Sequence, residues 1–483
     1  MNLKNLLGWS SALCLSAMPL QAQETNQLEQ LKKQLQEMQQ NFERTQREQQ
    51  RQIEALKKQI EEFQKPPPGP ATAPPPSAPS GTAAASSAAA KPWSPSDPIP
   101  LLGGQRSYLN LSFDGLFTAG TSTAKEIEGL TTGGHDPKQR GFTVQNLETT
   151  LEGKVDPYFR GLAALIMQID REGESFLEVE EAYLESMALP ANLQVRAGQF
   201  FTEFGRQNQF HPHSWDFVDQ PLVMGRFLGG DGLRSAGARV SWLTPTPFYS
   251  ELYLTIQNSH GETAHSFRNE NEGEPFLGRP SEPGSVRNLD DMLFVPRYVA
   301  SFNLTDSQTL VAGASGAFGP NGTGGNTELF GVDLFWKWKS PRHHAGFPFV
   351  AWQTEAMLRR FKAGAFAEDA DGDGVNELDL SGERLTDYGL YSQMLYGFRK
   401  GWIAGLRGDY VFPDRKGEYE SIAGPDPDRA SRWRLSPNLT WYPSEFSKLR
   451  LQYNYDRRNT MGDDHSVWLQ FEFLLGAHAA HKF

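Results

Sequence analysis

The chain has 483 residues, one cysteine and a formal net charge of -12 from 46 basic and 58 acidic side chains. Its mean hydropathy is -0.54, and its one long apolar stretch sits at the extreme N-terminus, which excludes helical membrane spans further along. The acidic balance, with no basic stripe, argues against nucleic acid as a partner.

Residues 1–22 read as a secretory signal peptide: Lys4, an apolar run through Ala17, and Leu20-Gln21-Ala22 ahead of the cut. Cys14 lies inside it, so the remaining chain would carry no thiol, disulfide or cysteine metal site. Residues 23–65 place Leu28, Leu31, Leu35, Met38 and Phe42, then Ile53, Leu56, Ile60 and Phe63, at three-four spacing across a polar middle. That pattern predicts an α-helical coiled coil. Its stripe is too narrow for burial in one globular domain, so copies of the chain are the expected partners, a homotrimer or another number; a solvated single helix is the plainer alternative. Residues 66–104, with Pro66-Pro67-Pro68, Pro74-Pro75-Pro76 and an Ala/Ser tract, cannot bury a core and read as a semi-stiff linker.

Residues 105–483 carry a different signal. A strand with one face in lipid and the other in water repeats every two residues over about ten positions. Phe330, Val332, Leu334, Trp336 and Trp338 alternate with Gly331, Asp333, Phe335 and Lys337; Leu449, Leu451, Tyr453 and Tyr455 alternate with Arg450, Gln452, Asn454 and Asp456. Strands are expected to begin near 108, 141, 157, 175, 192, 234, 247, 296, 309, 327, 347, 386, 401, 431, 447 and 464. The implied fold is all-β, a sixteen-stranded antiparallel transmembrane β-barrel. Links after even strands are short, such as Asp156-Pro157 and Arg399-Lys400, while links after odd strands include the long ones. Trp242, Trp336, Trp338, Trp352, Trp402 and Trp441 gather near the short turns, as an interfacial girdle would. A soluble all-β protein would share the period but not readily the girdle and the loop asymmetry.

The third long loop, 201–233, is the candidate constriction. It carries Arg206, His211, His213, Asp216, Asp219 and Arg226, and imidazole beside carboxylate suits transient Zn²⁺. Aromatic packing with both histidines merely hydrogen-bonded is the competing reading. His260, Glu262 and His265 cluster in the next long loop without the adjacent pair of a zinc-protease helix. Arg239, Glu251, Arg297, Asp333, Glu355, Arg407, Asp409, Arg432, Arg434 and Arg450 are expected to face the lumen, a mixed set with no one-signed cationic ladder. Between 369 and 379, Asp369, Asp371, Asp373, Glu377 and Asp379 surround a glycine at the sixth place, as in a calcium loop, although Leu380 stands where a bidentate Glu belongs. An acidic solvated loop is the alternative to Ca²⁺. His343 and His344 fall in a short turn, His478 and His481 near the end.

Val467, Leu469, Phe471, Phe473 and Leu475 alternate outward, and the final Phe483 resembles the assembly signal of outer-membrane proteins. Signal, coil, proline-rich linker and barrel together resemble the phosphate-selective porin O and P family, and Val195 to Gly205 is similar to that family's strand-to-loop segment. Phe210-His211-Pro212-His213-Ser214-Trp215 and the histidine-bearing end resemble proteins labelled zinc-regulated TonB-dependent outer-membrane receptors. Such transporters carry a plug and about 22 strands; upstream of Tyr108 there is only coil and linker here.

The expectation is an outer-membrane porin-like channel for passive diffusion of small hydrophilic solutes or ions, with a bias to divalent metal such as zinc. It would sit in outer-membrane lipid with the coil in the periplasm, within reach of the cell wall. An anion- or phosphate-selective porin is one alternative, and a membrane-to-wall tether with an occluded barrel another. No nucleophile elbow or zinc-protease motif suggests an enzyme, and no cofactor is required.

Overall fold

The computed structural model describes residues 97–476 apart from 104–106, 155, 171–172, 262, 270–274, 283, 370–375 and 460–461. The signal peptide, the coiled coil, most of the linker, His478, His481 and Phe483 lie outside the described residues, as do Asp371 and Asp373.

The strands are β1 (Ile99–Gly103), β2 (Tyr108–Ser122), β3 (Gly141–Lys154), β4 (Phe159–Ile169), β5 (Ser175–Ser186), β6 (Leu193–Phe201), β7 (Arg234–Leu243), β8 (Tyr249–Asn258), β9 (Met292–Thr305) and β10 (Gln308–Pro320). They continue with β11 (Asn326–His344), β12 (Phe347–Ala363), β13 (Phe366–Glu368), β14 (Leu378–Leu380), β15 (Glu383–Arg399), β16 (Trp402–Pro413), β17 (Arg432–Ser444), β18 (Ser447–Arg458) and β19 (Gly462–Leu475). Two short helices, α1 (Leu222–Leu228) and α2 (Glu418–Ile422), lie in long links.

Sixteen of these, β2 to β12 and β15 to β19, pair with their chain neighbours in antiparallel register and close into a barrel where β19 meets β2, from Leu475 opposite Phe113 to Ser466 opposite Ser122. β13 and β14 form a separate hairpin in the link after β12. The predicted and observed strand starts agree closely. β9 is the largest departure, beginning at Met292 instead of near 296. Pro296 is the reason: it sits inside β9 opposite Leu254 of β8, while toward β10 the register passes from Arg297–Ser315 directly to Phe294–Phe318. The ladder is interrupted beside the residue that has no N–H to give. A second departure is β1, which occupies residues assigned to the linker and pairs with the first residues of β2, just beyond the end of β19.

The period-two pattern becomes two surfaces. On β18 Leu451 is half exposed on the outer face, whereas Lys448, Arg450, Gln452 and Asn454 are buried on the inner one. Leu184, Val240, Leu254, Val332, Met394, Leu406, Leu439 and Leu469 continue an exposed apolar band around the exterior. A patch of that extent is far larger than a water-exposed protein surface carries. Near the short turns Trp336 lies opposite Trp352, and Trp402 opposite Trp441 with ring centroids 5.8 Å apart. Toward the long links Trp433 meets Tyr455 edge-on at 5.0 Å and Tyr388 stacks on Phe412 at 5.3 Å. Aromatic rings thus border the apolar band at both ends, as interfacial side chains do.

The bore is filled. Phe204, Leu222, Val223, Met224, Phe227, Leu228 and Leu233 of the 202–233 loop form a buried apolar cluster with inward residues of the wall, including Leu329, Met357, Tyr391 and Val411. Gly389 makes room for α1, since a Cβ there would lie 2.3 Å from Val223.

Candidate functional site

The 202–233 loop leaves β6, crosses the bore and is held on all sides. Glu355 of β12 accepts hydrogen bonds from the backbone N–H of Arg206 (3.0 Å) and Gln207 (2.7 Å), and Gln353 accepts one from the Arg206 guanidinium. Asp216 accepts from Gln393 of β15 at 3.0 Å, and its carbonyl accepts from Asn438 of β17 at 2.9 Å. Asp219 is saturated: Oδ1 accepts from Arg407 and Gln452, Oδ2 from Arg434 and Asn454, at 2.6 to 2.8 Å. Burial alone would raise its pKa, but the two guanidinium groups hold it down to about 2. The Leu222 N–H donates to Asp409, and Arg226 donates to the Ala430 carbonyl, tying the loop to the 414–431 link.

Between these anchors the loop presses His211 and His213 against β3 and β5. Each strand carries a β-bulge at that level. In β5, Glu181 lies opposite Ala164 and Val179 opposite Leu165, which leaves Glu180 as the extra residue. Both Glu180 and Glu181 are therefore buried in the bore instead of alternating. In β3, Leu116 lies opposite Asn146 and Phe117 opposite Val144, so Gln145 is extra and also buried.

The resulting site is dense in carboxylate. His211 Nδ1 lies 2.8 Å from Glu180 Oε2 and 3.2 Å from Glu148 Oε1, and its Nε2 lies 3.0 Å from Glu181 Oε2. His213 Nδ1 lies 3.0 Å from Glu148 Oε2. Burial disfavours imidazolium at both rings, but the Glu148 and Glu180 carboxylates outweigh it and raise His211 well above the ordinary imidazole value; Glu148 does the same for His213. Asp114, buried nearby on β2, has two oxygens with no hydrogen bond. Several buried carboxylates against two imidazoles require positive charge in the pocket, supplied by protons or by a metal ion.

Glu148, His211 and His213 each offer one ligand atom, all within 4.8 Å of one another, and all three residues are buried. Two nitrogens and one carboxylate oxygen suit Zn²⁺ and similar divalent ions, and three protein ligands leave a coordination position open to exchange.

Two cavities border this point toward the short turns. One, of about 490 Å³, is lined by Arg160, Tyr183, Glu185, Arg196, Arg239 and the His211 and His213 rings. The other, of about 260 Å³, is lined by Arg206, Phe335, Lys337, Phe349, Asp216 and Tyr442 and also reaches His213. Within the loop a far smaller space of about 10 Å³ touches His135, Glu180, Gln220 and Asp231. It has room for about one water.

Both histidines lie on the loop inside the barrel, and their carboxylate partners come from β3 and β5, not from the loop. Asp219 is committed to arginine and amide donors, Asp216 to Gln393, and Arg226 to a neighbouring link. Arg206 packs over Phe335 at 4.1 Å and borders the vestibule. The ten charged residues from Arg239 to Arg450 lie on the inner side of their strands, with partners there. Arg239 pairs with Glu185 and Glu203, Arg297 with Asp333, Arg407 with Asp409, and Arg432 and Arg434 with Asp456. Arg450 donates to Thr440 and Gln470, and Glu251 accepts from Tyr253 at 2.7 Å. His265 packs edge-on against Phe276 at 4.8 Å, and Glu262 lies outside the described residues. Asp369, Glu377 and Asp379 are exposed around the β13–β14 hairpin. His343 and His344 are exposed at a short turn.

Glu148, Glu180, Glu181 and His135 are the residues sequence reading missed. A usable signal was present: two consecutive glutamates in a transmembrane strand would put one carboxylate into lipid unless a bulge turned both inward.

No protein-family model matches the chain. It is 31% identical over 387 residues to an uncharacterized protein of Aquifex aeolicus, covering 73% of each. Among solved structures it is similar to the outer membrane channel DcaP of Acinetobacter baumannii, with 13% identity, a TM-score of 0.49 and coverage of 77% and 99% of the two chains. It is also similar to an anion-selective porin from Comamonas acidovorans, with 9% identity, a TM-score of 0.47 and coverage of 76% and 100%.

Proposed function

The chain belongs to the same family as the Aquifex aeolicus protein, and we propose that it is an outer-membrane porin-like channel for passive movement of small ions that favours divalent metal such as Zn²⁺. The observation that carries this reading is the buried Glu148–His211–His213 group at the point where the inward loop crosses the bore. A cation arriving there exchanges its water for imidazole and carboxylate and displaces the protons that otherwise balance the surrounding glutamates. Three ligands with an open fourth position bind an ion without trapping it, as conduction requires. The vestibule on the short-turn side then returns it to water.

In this reading the exposed apolar band faces outer-membrane lipid, the short turns face the periplasm, and the coiled coil favours a homotrimer within reach of the cell wall. Selectivity for phosphate, the property of the family the layout resembles, would need unpaired cations along the bore. The inward arginines described above are engaged with carboxylates or amides.

A second reading has its own support. The apolar cluster between loop and wall leaves little open bore, which suits a tether whose barrel is occluded. Planar-bilayer recordings of the purified protein separate the two. The channel reading expects stepwise conductance, with reversal potentials under a Zn²⁺ gradient that shift when His211→Ala and His213→Ala are combined, Zn²⁺ permeability relative to K⁺ falling at least about tenfold. Unchanged potentials would remove metal from this loop, a larger response to a phosphate gradient would favour the anion reading, and silent bilayers would favour the tether.

A further inference from the structure

The small space within the loop is lined by a second set of metal-capable groups, on the side of Glu180 away from His213. His135, in the 123–140 link, directs Nε2 at Asp231 Oδ1 (3.6 Å) and Glu180 Oε1 (3.8 Å). Its Nδ1 lies 3.2 Å from the Gln145 carbonyl and 3.0 Å from the Gln168 side-chain amide; in the tautomer that donates to that carbonyl, Nε2 presents its lone pair. A backbone carbonyl on the distal ring nitrogen is the usual support of a metal-ligating imidazole. The separations of 3.6 and 3.8 Å are too long for hydrogen bonds. An ion held on metal–ligand bonds of about 2.0 Å would draw both pairs in toward the roughly 3.3 Å edge of a tetrahedron.

Two further observations point to a ligand. Asp231 Oδ1 and Gln220 Oε1 are both buried without a hydrogen bond, and both residues line the same space of about 10 Å³. Buried oxygens left without donors are costly and call for an ion or a water. The backbone is also shaped for the arrangement. A Cβ on Gly134 would fall 1.9 Å from Asp231 Oδ1, and the Gly134 N–H donates to the Gly230 carbonyl at 2.9 Å, latching the 123–140 link to the loop that carries Asp231. His135 and Glu180 are buried, whereas the Asp231 side chain keeps about a quarter of its surface open, 26%.

We propose that His135, Asp231 and Glu180, with the Gln220 carbonyl, form a second divalent-cation site on the long-loop side of the constriction. Glu180 belongs to both sites, with Oε1 toward His135 and Oε2 toward His211. An ion captured at the partly open Asp231 passes across the two oxygens of one carboxylate to the Glu148–His211–His213 group. Two adjacent sites sharing a ligand repel each other's occupants, which speeds release from the inner one. This inference rests on the channel reading and adds an entry step to it.

The test is Co²⁺ titration of the full-length protein in detergent, followed by visible absorption and calorimetry, with heat-modifiable gel migration to confirm a folded barrel. The wild type is expected to bind two equivalents. His135→Gln with Asp231→Asn should remove one and keep the other, and His211→Ala with His213→Ala should remove the other. Zn²⁺ entry into proteoliposomes should fall at least about tenfold in His135→Gln with Asp231→Asn. A single equivalent, lost only in the His211 and His213 variant, would overturn the second site and leave the channel reading standing. No binding at all would overturn both. Should the double variants fail to fold, Gly134→Ala, which pushes Asp231 aside while keeping every ligand, is expected to abolish the outer equivalent alone; two equivalents in that variant would count against the site.

Discussion

At the residue scale the barrel interior is a lattice of buried charge in which most of the acids named above are matched to a donor. Asp219 is the clearest case, a carboxylate from the loop that takes four donors from three strands of the wall. Asp219→Ala leaves Arg407 and Arg434 short of a partner in a buried setting, a loss of about 3–5 kcal/mol by analogy with other broken buried pairs. The expected outcome is a lowered midpoint for heat-induced gel-mobility change and a conductance noisier and larger than the wild type, because the loop comes off the wall. Glu148 behaves differently. It pairs with His211 and His213, and among the described residues no arginine forms an ion pair with it, so Glu148→Gln should preserve folding and weaken Co²⁺ binding at the inner site, read by titration.

At the element scale, strands were legible in the sequence because a wall between lipid and water imposes period two on residues such as Leu449 to Asp456. The carboxylates of the site were not, because bulges at Gln145 and Glu180 shift parity by one and local composition does not reveal which residue is extra. His211 and His213 were readable since a long link after β6 has to go somewhere, and prolines with aromatics suit a packed path through the bore. Their partners are tertiary and left no mark near them. The 259–291 link packs a histidine against an aromatic ring. Burial lowers His265 to about 4 from an ordinary 6.5, so it is neutral in the packed link. The unfolded link takes up a proton below about 6.5 while the packed one does so only near 4, so this contribution to packing is complete above 6.5 and is lost as the pH falls between those values. The hydrogen-exchange protection factors of residues 263–269, corrected for the intrinsic rate at each pH, should fall between pH 6.5 and pH 4.5, and His265→Phe should flatten that dependence.

At the scale of the whole molecule, a sixteen-stranded cylinder would be wide if its loops lay outside, and here one of them occupies the interior. Replacing residues 206–231 by a short Gly/Ser bridge between Gly205 and Gly232 is expected to turn an ion-scale path into a bore that passes sugars, measurable by liposome swelling. Swelling rates equal to the wild type would mean that other links close the opening. The seam where β19 meets β2 has a further consequence. Phe473 lies against Phe113 and Phe117, with centroids 5.7 and 6.2 Å away, and Gly115 leaves the space its ring occupies. The first and last staves of the cylinder are thus zipped by interlocking rings, and neither can be satisfied until the other has been synthesised. Completion is therefore post-translational by construction: a ribosome-bound chain still lacking its last few dozen residues has two raw edges and must be escorted until they meet.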